Sequence, residues 1–291
     1  MRCLKMDLFK MRKFKSTYII LLIAFILSFL VTFATMKVNK LIYDMNRQVE
    51  TENHTSEDET AQEEYEESDI NLEMNYQGTE QEYNEGKLID YLDASLVGSA
   101  YVILITVYVI LFCGADYKMG YNKNVYGQIS HRAYLILSKL SICFIYTLIM
   151  HLVYCIGTTV AYYIVADSPQ TGAMSDIVMH SIMLYVINIA LASLFAAIAV
   201  LLKGSGIAMA IGVIISMGIH LTGFYIINML VEKYLKIKNF DLSEVSLLSA
   251  RSWLITGFTH KNITHVLILA VIYFVVATAI AISVETKRDI N

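Results

Sequence analysis

Six long apolar segments constrain this chain more than any other feature. A helix of about 18 to 20 apolar residues crosses the roughly 30 Å hydrocarbon core of a bilayer, and each segment reaches that length. Inside lipid the backbone groups of a spanning segment must bond to one another, so we predict that all six segments are helices. They are residues 16–36, 95–114, 139–166, 177–202, 207–231 and 263–284, denoted TM1 to TM6 in chain order.

The composition favours a chain that is solvated mainly by lipid. Of its 291 residues, 56% are hydrophobic, 16% are charged and only one is proline. We therefore predict an all-α membrane protein with six transmembrane helices. The prediction also includes an N-terminal interfacial helix, a cytoplasmic coupling helix between TM2 and TM3, and an outer hairpin between TM5 and TM6.

Basic residues near the span ends predict the orientation of the chain. The segment 1–15 holds six basic residues and one acid, Asp7, which favours a cytoplasmic N-terminus. Six spans return the C-terminal tail, 285–291, to the same side. The outer segment 232–262 has more bases than acids and argues for the opposite topology, but the first helix usually dominates. We therefore predict a multi-pass protein of the cell membrane with both termini in the cytoplasm.

The segment 4–15 has the spacing of a helix that lies in the inner membrane interface. Its basic residues occupy the other flanks of that helix, as is typical of an interfacial element. A frayed basic tail is the alternative. The side chains that define the helical spacing are Leu4, Leu8, Met11 and Lys15.

The loop 115–138 between TM2 and TM3 is more patterned than a plain linker. Gly120 and Gly127 bracket a short predicted helix, and basic residues lie beside the membrane on both sides of it. We interpret this loop as a coupling element on which a soluble partner would push. The basic residues in the loop and next to it are Lys118, Lys123, Arg132 and Lys139.

The outer loop 37–94 contains most of the chain's 26 acidic residues. Low hydrophobicity and like-charge repulsion favour disorder at its centre. Three interpretations remain open: a solvated spacer, a collector of cationic amphipathic peptides at the outer mouth, or a segment that docks on the basic segment 232–262. The central acidic residues, which we call the acidic segment, are Glu57, Asp58, Glu59, Glu63, Glu64, Glu66, Glu67 and Asp69.

In TM5 a polar and small-residue face recurs at every fourth position. Small residues let helices approach closely, and an ionisable group within a span needs water or a partner. This face is therefore a candidate subunit interface or pathway wall, with packing inside the chain as the alternative. Its members are Ala208, Gly212, Ser216 and His220.

Other buried polar residues are candidates for a proton relay or a metal site. His151, His180 and Asn188 lie on TM3 and TM4 and would join His220. Histidines on separate helices without a neighbouring carboxylate are more typical of hydrogen-bonded packing groups, so we predict no metal.

The cysteines lie in the predicted tail or spans, outside any outer loop, and are interpreted as packing residues. They are Cys3, Cys113, Cys143 and Cys155.

Sequence motifs for the familiar enzyme chemistries are absent. No Gly-x-x-x-x-Gly-Lys-Ser/Thr loop offers backbone amides and a lysine to nucleotide phosphates, and no His-Glu-x-x-His or Gly-x-Ser-x-Gly motif occurs. We predict that the chain is not an enzyme, that it holds no cofactor of its own, and that a partner supplies any energy it uses.

The segment 240–260 is too apolar for a free loop and too short and charged to span. It predicts a short hairpin at the outer surface. Asp241 or Ser243 would cap its first turn, and Trp253 would anchor it in the outer interface.

The residues around the coupling loop also carry a resemblance to a known family. The sharpest part consists of Asp116, Tyr117, Gly120, Lys123, Asn124, Ser130, Arg132 and Lys139. The opening Asp7-Leu8-Phe9-Lys10 is similar to the same family's interfacial helix. The family comprises permease subunits of bacterial ATP-binding-cassette exporters of the type-2 class, particularly the six-span permeases associated with bacitracin resistance and lantibiotic immunity. The resemblance covers most of the chain.

The resemblance implies an assembly of several subunits. Two permeases, identical or sister chains, would face each other above two copies of an ATPase subunit that binds ATP and Mg. The 120–130 helix would sit in a cleft of the ATPase, and TM2 and TM5 would lie near the seam between permeases. Tyr121 and His131 depart from the family pattern, as does the unusually long acidic loop, so the substrate stays open.

The sequence therefore predicts the permease subunit of an ATP-driven exporter that moves an amphipathic or cationic peptide, or another hydrophobic compound, outward. Asp116 and Arg132 would orient the coupling helix. The alternative is a non-transporting membrane sensor or immunity protein whose acidic loop binds a cationic peptide. Turnover of a transported substrate would distinguish the exporter from the sensor or immunity protein. Intramembrane catalysis by the histidines would lack the paired acid or nucleophile that it needs.

Overall fold

The computed structural model describes residues 2–55, 86–120, 131–235, 241–254 and 260–288, and these residues form helices and short connections without a strand. The helices are α1 (Arg2–Lys13), α2 (Lys15–Thr55), α3 (Leu88–Val97), α4 (Ser99–Lys118), α5 (Ala133–Val165), α6 (Met174–Leu201), α7 (Gly206–Ser216), α8 (Ile219–Leu235), a 3-10 helix (Leu242–Val245), α9 (Leu247–Trp253) and α10 (His260–Lys287).

Five of the described helices are long and apolar enough to cross a membrane, and the count rises to six if α7 and α8 form one bent span. The prediction of an all-helical chain with several span-length apolar helices is therefore confirmed. The clearest difference lies within TM5, where α7 and α8 meet at 62°. Gly218 separates them with a φ of +78°, a backbone conformation that favours glycine and that a straight helix cannot contain.

Predicted TM2 is also divided. The extended conformation of Gly98 (φ −55°, ψ 144°) ends α3 and starts α4, so the beginning of TM2 belongs to a separate ten-residue helix. Glycine has a low helix propensity, which is consistent with a break at this position.

The helices pack around α4, α5 and α6. Helix α4 contacts α5, α6 and α7, while α2 packs along α5 and α10 packs along α6. Close approach depends on glycine at Gly212 of α7, where an added Cβ would lie 2.6 Å from atoms of Thr106 and Ile110 on α4. Apolar side chains that point away from this core, such as Leu22 and Val271, are more than half exposed. Such a surface is expected where lipid is the solvent.

Polar contacts distinguish two ends of the bundle. At the basal end, α1 meets the last turn of α4 and the start of α5, and Arg288, directly after α10, meets the last turn of α6. At the distal end, α3 meets the end of α5, the start of α6 and helix α9. The start and the end of the described chain therefore lie at the same end of the bundle.

Candidate functional site

A buried cluster of charges at the basal end is the candidate site. Its centre is Asp116 in the last turn of α4, which is 2% exposed. The carboxylate forms ion pairs with Lys10 on α1 and, at 2.9 Å, with the Nζ of Lys139 on α5. Three helices are thus joined through one acid. We call Asp7, Lys10, Asp116, Lys139, Glu285 and Arg288 the basal cluster.

Lys10 fixes α1 against the last turn of α4. Its Nζ also donates to the carbonyl oxygen of Phe112 at 3.2 Å and lies 4.7 Å from the centroid of the Phe112 ring. An ammonium over an aromatic face is stabilised by the ring quadrupole, and the lysine stem covers apolar surface. The sequence placed the basic residues of α1 on the flanks of an interfacial helix, and in the structure the side chain of Lys10 is 19% exposed.

Asp7 provides a second connection between α1 and α5. It is 1% exposed and accepts a hydrogen bond from the Ser138 hydroxyl at 2.5 Å. Burial raises the pKa of the Asp7 carboxyl, while the hydrogen bond from Ser138 and the charge of Lys139 oppose that rise. Helix α1 is therefore held by a buried ion pair and a buried hydrogen bond.

The last turn of α10 completes the basal cluster. Glu285 is fully buried and accepts a hydrogen bond from the Tyr117 hydroxyl at 2.6 Å, and it pairs with Arg288 at 3.2 Å. The Arg288 guanidinium lies 4.9 Å from the centroid of the Tyr117 ring and donates to the carbonyl of Val200 on α6 at 2.7 Å. This carbonyl belongs to the end of α6, where backbone acceptors have no partner inside the helix.

The basal cluster holds both ends of the predicted coupling loop. Before it, α4 ends and Gly120 adopts a φ of +64°. After it, the Arg132 guanidinium donates to the carbonyl oxygens of Arg288 at 2.5 Å and Thr286 at 3.4 Å. Residues 121–130 lie outside the described residues, and with them the predicted coupling helix and three of its predicted site residues, Lys123, Asn124 and Ser130.

Two clefts adjoin the basal cluster. One, of about 360 Å³, lies between α1 and the end of α4, and its mostly apolar wall includes Phe9, Phe14 and Met119 with Asp116 beneath. The other, of about 440 Å³, is lined by residues 131–134 and Thr286, next to the coupling loop. The site is thus open to the surface on both sides, although Asp116 itself is not exposed.

The predicted face of TM5 contacts α4 of the same chain. Ala208, Gly212 and Ser216 are buried, and the Ser216 hydroxyl lies 2.5 Å from that of Thr106. His220 lies beyond the break at Gly218, so it is not on the same continuous helix face. Its Nε2 contacts the Ser246 hydroxyl at 3.2 Å, which attaches α8 to the start of α9.

The two other predicted histidines have different polar partners. His151 contacts the Tyr101 hydroxyl through Nδ1 at 3.2 Å, and His180 pairs with Asp93. Among the described residues no group of three or more His, Cys, Asp or Glu is arranged to hold a metal. The cysteines are free thiols, and the sulfurs of Cys113 and Cys143 lie 3.8 Å apart beside the basal cluster. The acidic segment from Glu57 to Asp69 lies outside the described residues.

Several partners in these contacts were not predicted from the sequence. Glu285 was assigned to the C-terminal tail, yet it is a fully buried acid in the last turn of α10. Asp93 was assigned to the outer loop 37–94. Arg251 was counted among the bases of the outer segment 232–262, and the structure shows that it has no exposed surface. One signal was available: each of these charges interrupts or borders an apolar stretch, where a charge needs a partner.

The capping of the segment after α8 agrees with its sequence. Asp241 precedes the 3-10 helix and accepts a hydrogen bond from the Ser243 amide at 2.8 Å. The amide of Asn228 on α8 also donates to Asp241, at 2.8 Å. Backbone hydrogen bonding from Ser243 lowers the pKa of the Asp241 carboxyl.

Comparison of this chain with known protein families, with curated protein sequences and with solved structures gives no match in any of the three.

Proposed function

We propose that this chain is the membrane-spanning permease subunit of an ATP-driven exporter in the cell membrane, with both termini in the cytoplasm. The observation that supports it best is that the two ends of the 121–130 segment are attached to α1, α5 and α10, and through Arg288 to α6. A force applied to that segment would reach α1, α5, α6 and α10 together. Such an attachment suits a chain that is driven by a partner.

The energy would come from two copies of an ATPase subunit that bind ATP and Mg, because the sequence has no phosphate-binding loop of its own. A second permease, identical or a sister chain, would complete the assembly. Closure of the ATPase pair would displace the coupling loop and tilt α4 and α5. Asp116 would act from inside the bundle, since a carboxylate that is 2% exposed has no free face for a partner protein.

The proposed substrate class is based on the charge of the acidic segment and on the apolar surface of the helices. An acidic segment on the outer side attracts cationic molecules over roughly one Debye length, about 8 Å at physiological salt. The apolar helices suit a molecule that partitions into lipid. A cationic amphipathic peptide has both properties, and we propose this class as the exported substrate.

The assembly is tested by affinity purification of the chain from its native membrane in mild detergent, followed by mass spectrometry. We expect a nucleotide-binding ATPase to be recovered with the wild-type chain and to be reduced for Gly120→Val. Because an added Cβ at Gly120 meets no described atom within 4 Å, this replacement strains the backbone at a φ of +64° without a clash in the bundle.

A matched control is Gly218→Val, which strains a similar φ of +78° at the break between α7 and α8. It should leave recovery of the ATPase unchanged. Failure to recover an ATPase with a folded wild-type chain would contradict the proposal. It would favour instead a sensor or immunity protein that binds the peptide without transporting it.

A further inference from the structure

The cleft of about 360 Å³ between α1 and the end of α4 has an apolar wall and is open to the surroundings of the protein. The apolar side chains of the wall are Met6, Phe9, Phe14 and Met119. Phe9 is 64% exposed and Met119 is 68% exposed, so neither closes the cleft. Ligand pockets in proteins have volumes of about 300–1,000 Å³. The cleft is therefore accessible and large enough to hold an apolar part of a ligand.

The exposed charge of the cleft is positive. Asp7 is 1% exposed and accepts a hydrogen bond from Ser138. Asp116 is 2% exposed and pairs with Lys10. The two acids that line the cleft are thus buried and already have partners. Lys13, which also lines the cleft, is exposed and forms no ion pair among the described residues.

The cleft lies where two candidate membrane spans end. The span in α2 starts at Lys15, almost directly after α1, and the span in α4 ends at Tyr117, just before Met119. Lipid head groups lie at the level where spanning helices leave the hydrocarbon core. The first apolar side chains of α2, such as Ile19 and Leu22, are more than half exposed, as expected where lipid is the solvent. Lipid molecules are therefore next to the cleft.

We propose that the cleft binds one anionic glycerophospholipid of the adjacent leaflet, with an acyl chain against the apolar wall and the head-group phosphate at Lys13. A lysine ammonium binds phosphate as a point charge, and basic side chains beside a membrane attract anionic lipids. Lys10 and Arg12 add positive charge in the same last turn of α1. A free phosphate ion would match Lys13 but not the apolar wall, whereas a phospholipid matches both. The proposal does not depend on the exporter assignment.

Photolabelling of the full-length chain in phosphatidylcholine nanodiscs tests the proposal. Two trace lipids carry the same photoreactive acyl chain, one on phosphatidylglycerol and one on phosphatidylcholine, and labelled residues are mapped by mass spectrometry. We expect the phosphatidylglycerol analogue to label Phe9, Phe14 and Met119 roughly fivefold more than the phosphatidylcholine analogue does, the factor expected for one basic side chain at an anionic head group. Val271, an exposed side chain of α10, should be labelled equally by both.

Lys13→Gln should reduce the labelling of the cleft by phosphatidylglycerol to the phosphatidylcholine level. Phe9→Glu should do the same, because it places an acid one helical turn before Lys13. Both side chains are exposed, so the replacements leave the buried pairs intact. The matched control is Lys5→Gln, which removes an exposed base of the same helix outside the cleft and should keep the excess. Equal labelling by the two analogues in the wild-type chain, an unlabelled cleft beside a labelled span, or an excess that survives Lys13→Gln would overturn the proposal.

Discussion

Buried charged side chains have different kinds of partner at the two ends of the bundle. At the basal end, Lys10 and Lys139 share the carboxylate of Asp116, so that each charge has a partner on another helix. At the distal end, Arg251 is bonded only to a backbone carbonyl of α3 among the described residues. The basal charges therefore connect several helices through their counter-charges, whereas the distal cation is held by a backbone group alone among the described residues.

The largest effect is expected from Asp116→Asn, which would test whether the charges of the basal cluster stabilise one another. The variant leaves the ammonium of Lys139, 2% exposed, without its counter-charge. Removing one partner of a buried ion pair costs about 3–5 kcal/mol. We expect a loss of that size in the free energy of unfolding, measured by denaturant titration in nanodiscs.

The double variant Asp116→Asn, Lys139→Met serves as the control for Asp116→Asn. It removes the fully buried pair and should recover part of the lost stability, because the ammonium that then lacks Asp116 is that of Lys10, whose side chain is 19% exposed. If Asp116→Asn is as stable as the wild-type chain, the basal cluster does not stabilise the packing of these helices. The difference drawn here between the basal and the distal end would then be wrong.

A smaller effect is expected from Tyr101→Phe at the distal end. The variant removes the hydroxyl that contacts His151 Nδ1 at 3.2 Å, and leaves a buried ring nitrogen unsatisfied. The expected loss is about 1–3 kcal/mol in the same titration. Tyr225→Phe, at a side chain that is 70% exposed, should cause no change. Equal losses in the two variants would mean that the distal contact contributes nothing specific.

Asp7→Asn should change the pH dependence of stability. The pKa of Asp7 is raised by burial above its ordinary value of 3.8, so the folded chain holds the proton more tightly than the unfolded chain does. The free energy of unfolding therefore falls as pH rises from about 3.8 through the folded pKa. Asparagine still accepts from Ser138 and should remove this fall, which a pH series of unfolding midpoints would measure.

Asp241→Asn gives the opposite sign at the distal end. Because the Ser243 amide lowers the pKa of Asp241, its contribution is present above the ordinary value of 3.8 and is lost as pH falls through the lowered pKa. The two replacements should therefore change the slope of the profile in opposite directions. A change of the same sign for both would contradict the assignment of Asp7.

The smallest effect is expected from Lys40→Gln, which removes the pair with Asp167 on the outside of the bundle. The atoms are 2.6 Å apart, but the side chains are 40% and 72% exposed. Exposed pairs contribute little and are screened by salt. We expect an unchanged unfolding midpoint in moderate salt. A clearly lower midpoint would show that this exposed pair stabilises the fold as the buried pair of Asp116 and Lys139 does.

Much of the helical framework could be predicted from the sequence, because lipid imposes a simple rule on long apolar segments. The segments from 139–166 and 177–202 each correspond to one long helix, α5 and α6. The breaks at Gly98 and Gly218 were not predicted, since a single glycine is tolerated in many helices and its φ depends on tertiary contacts.

The candidate site was predicted only in part. Asp116, Arg132 and Lys139 were identified in or beside the loop, but Lys10, which pairs with Asp116, and the carbonyl of Arg288, which Arg132 contacts, lie more than 100 positions away. Pairing between distant residues leaves no periodic pattern in one sequence. The burial of Arg251 was not predicted for a related reason, because its helix is too short to produce a hydrophobic period, and a base in an outer segment is usually exposed.

The central claim, that the basal cluster transmits the work of an ATPase to the bundle, is tested most directly by transport. Inside-out vesicles containing the complex would be assayed for ATP-dependent uptake of a labelled cationic amphipathic peptide, with wild-type chain, Asp116→Asn and Lys40→Gln at a temperature where all three are folded. The account predicts uptake for the wild type and Lys40→Gln and a loss for Asp116→Asn with ATP hydrolysis retained. Undiminished uptake with Asp116→Asn would contradict it.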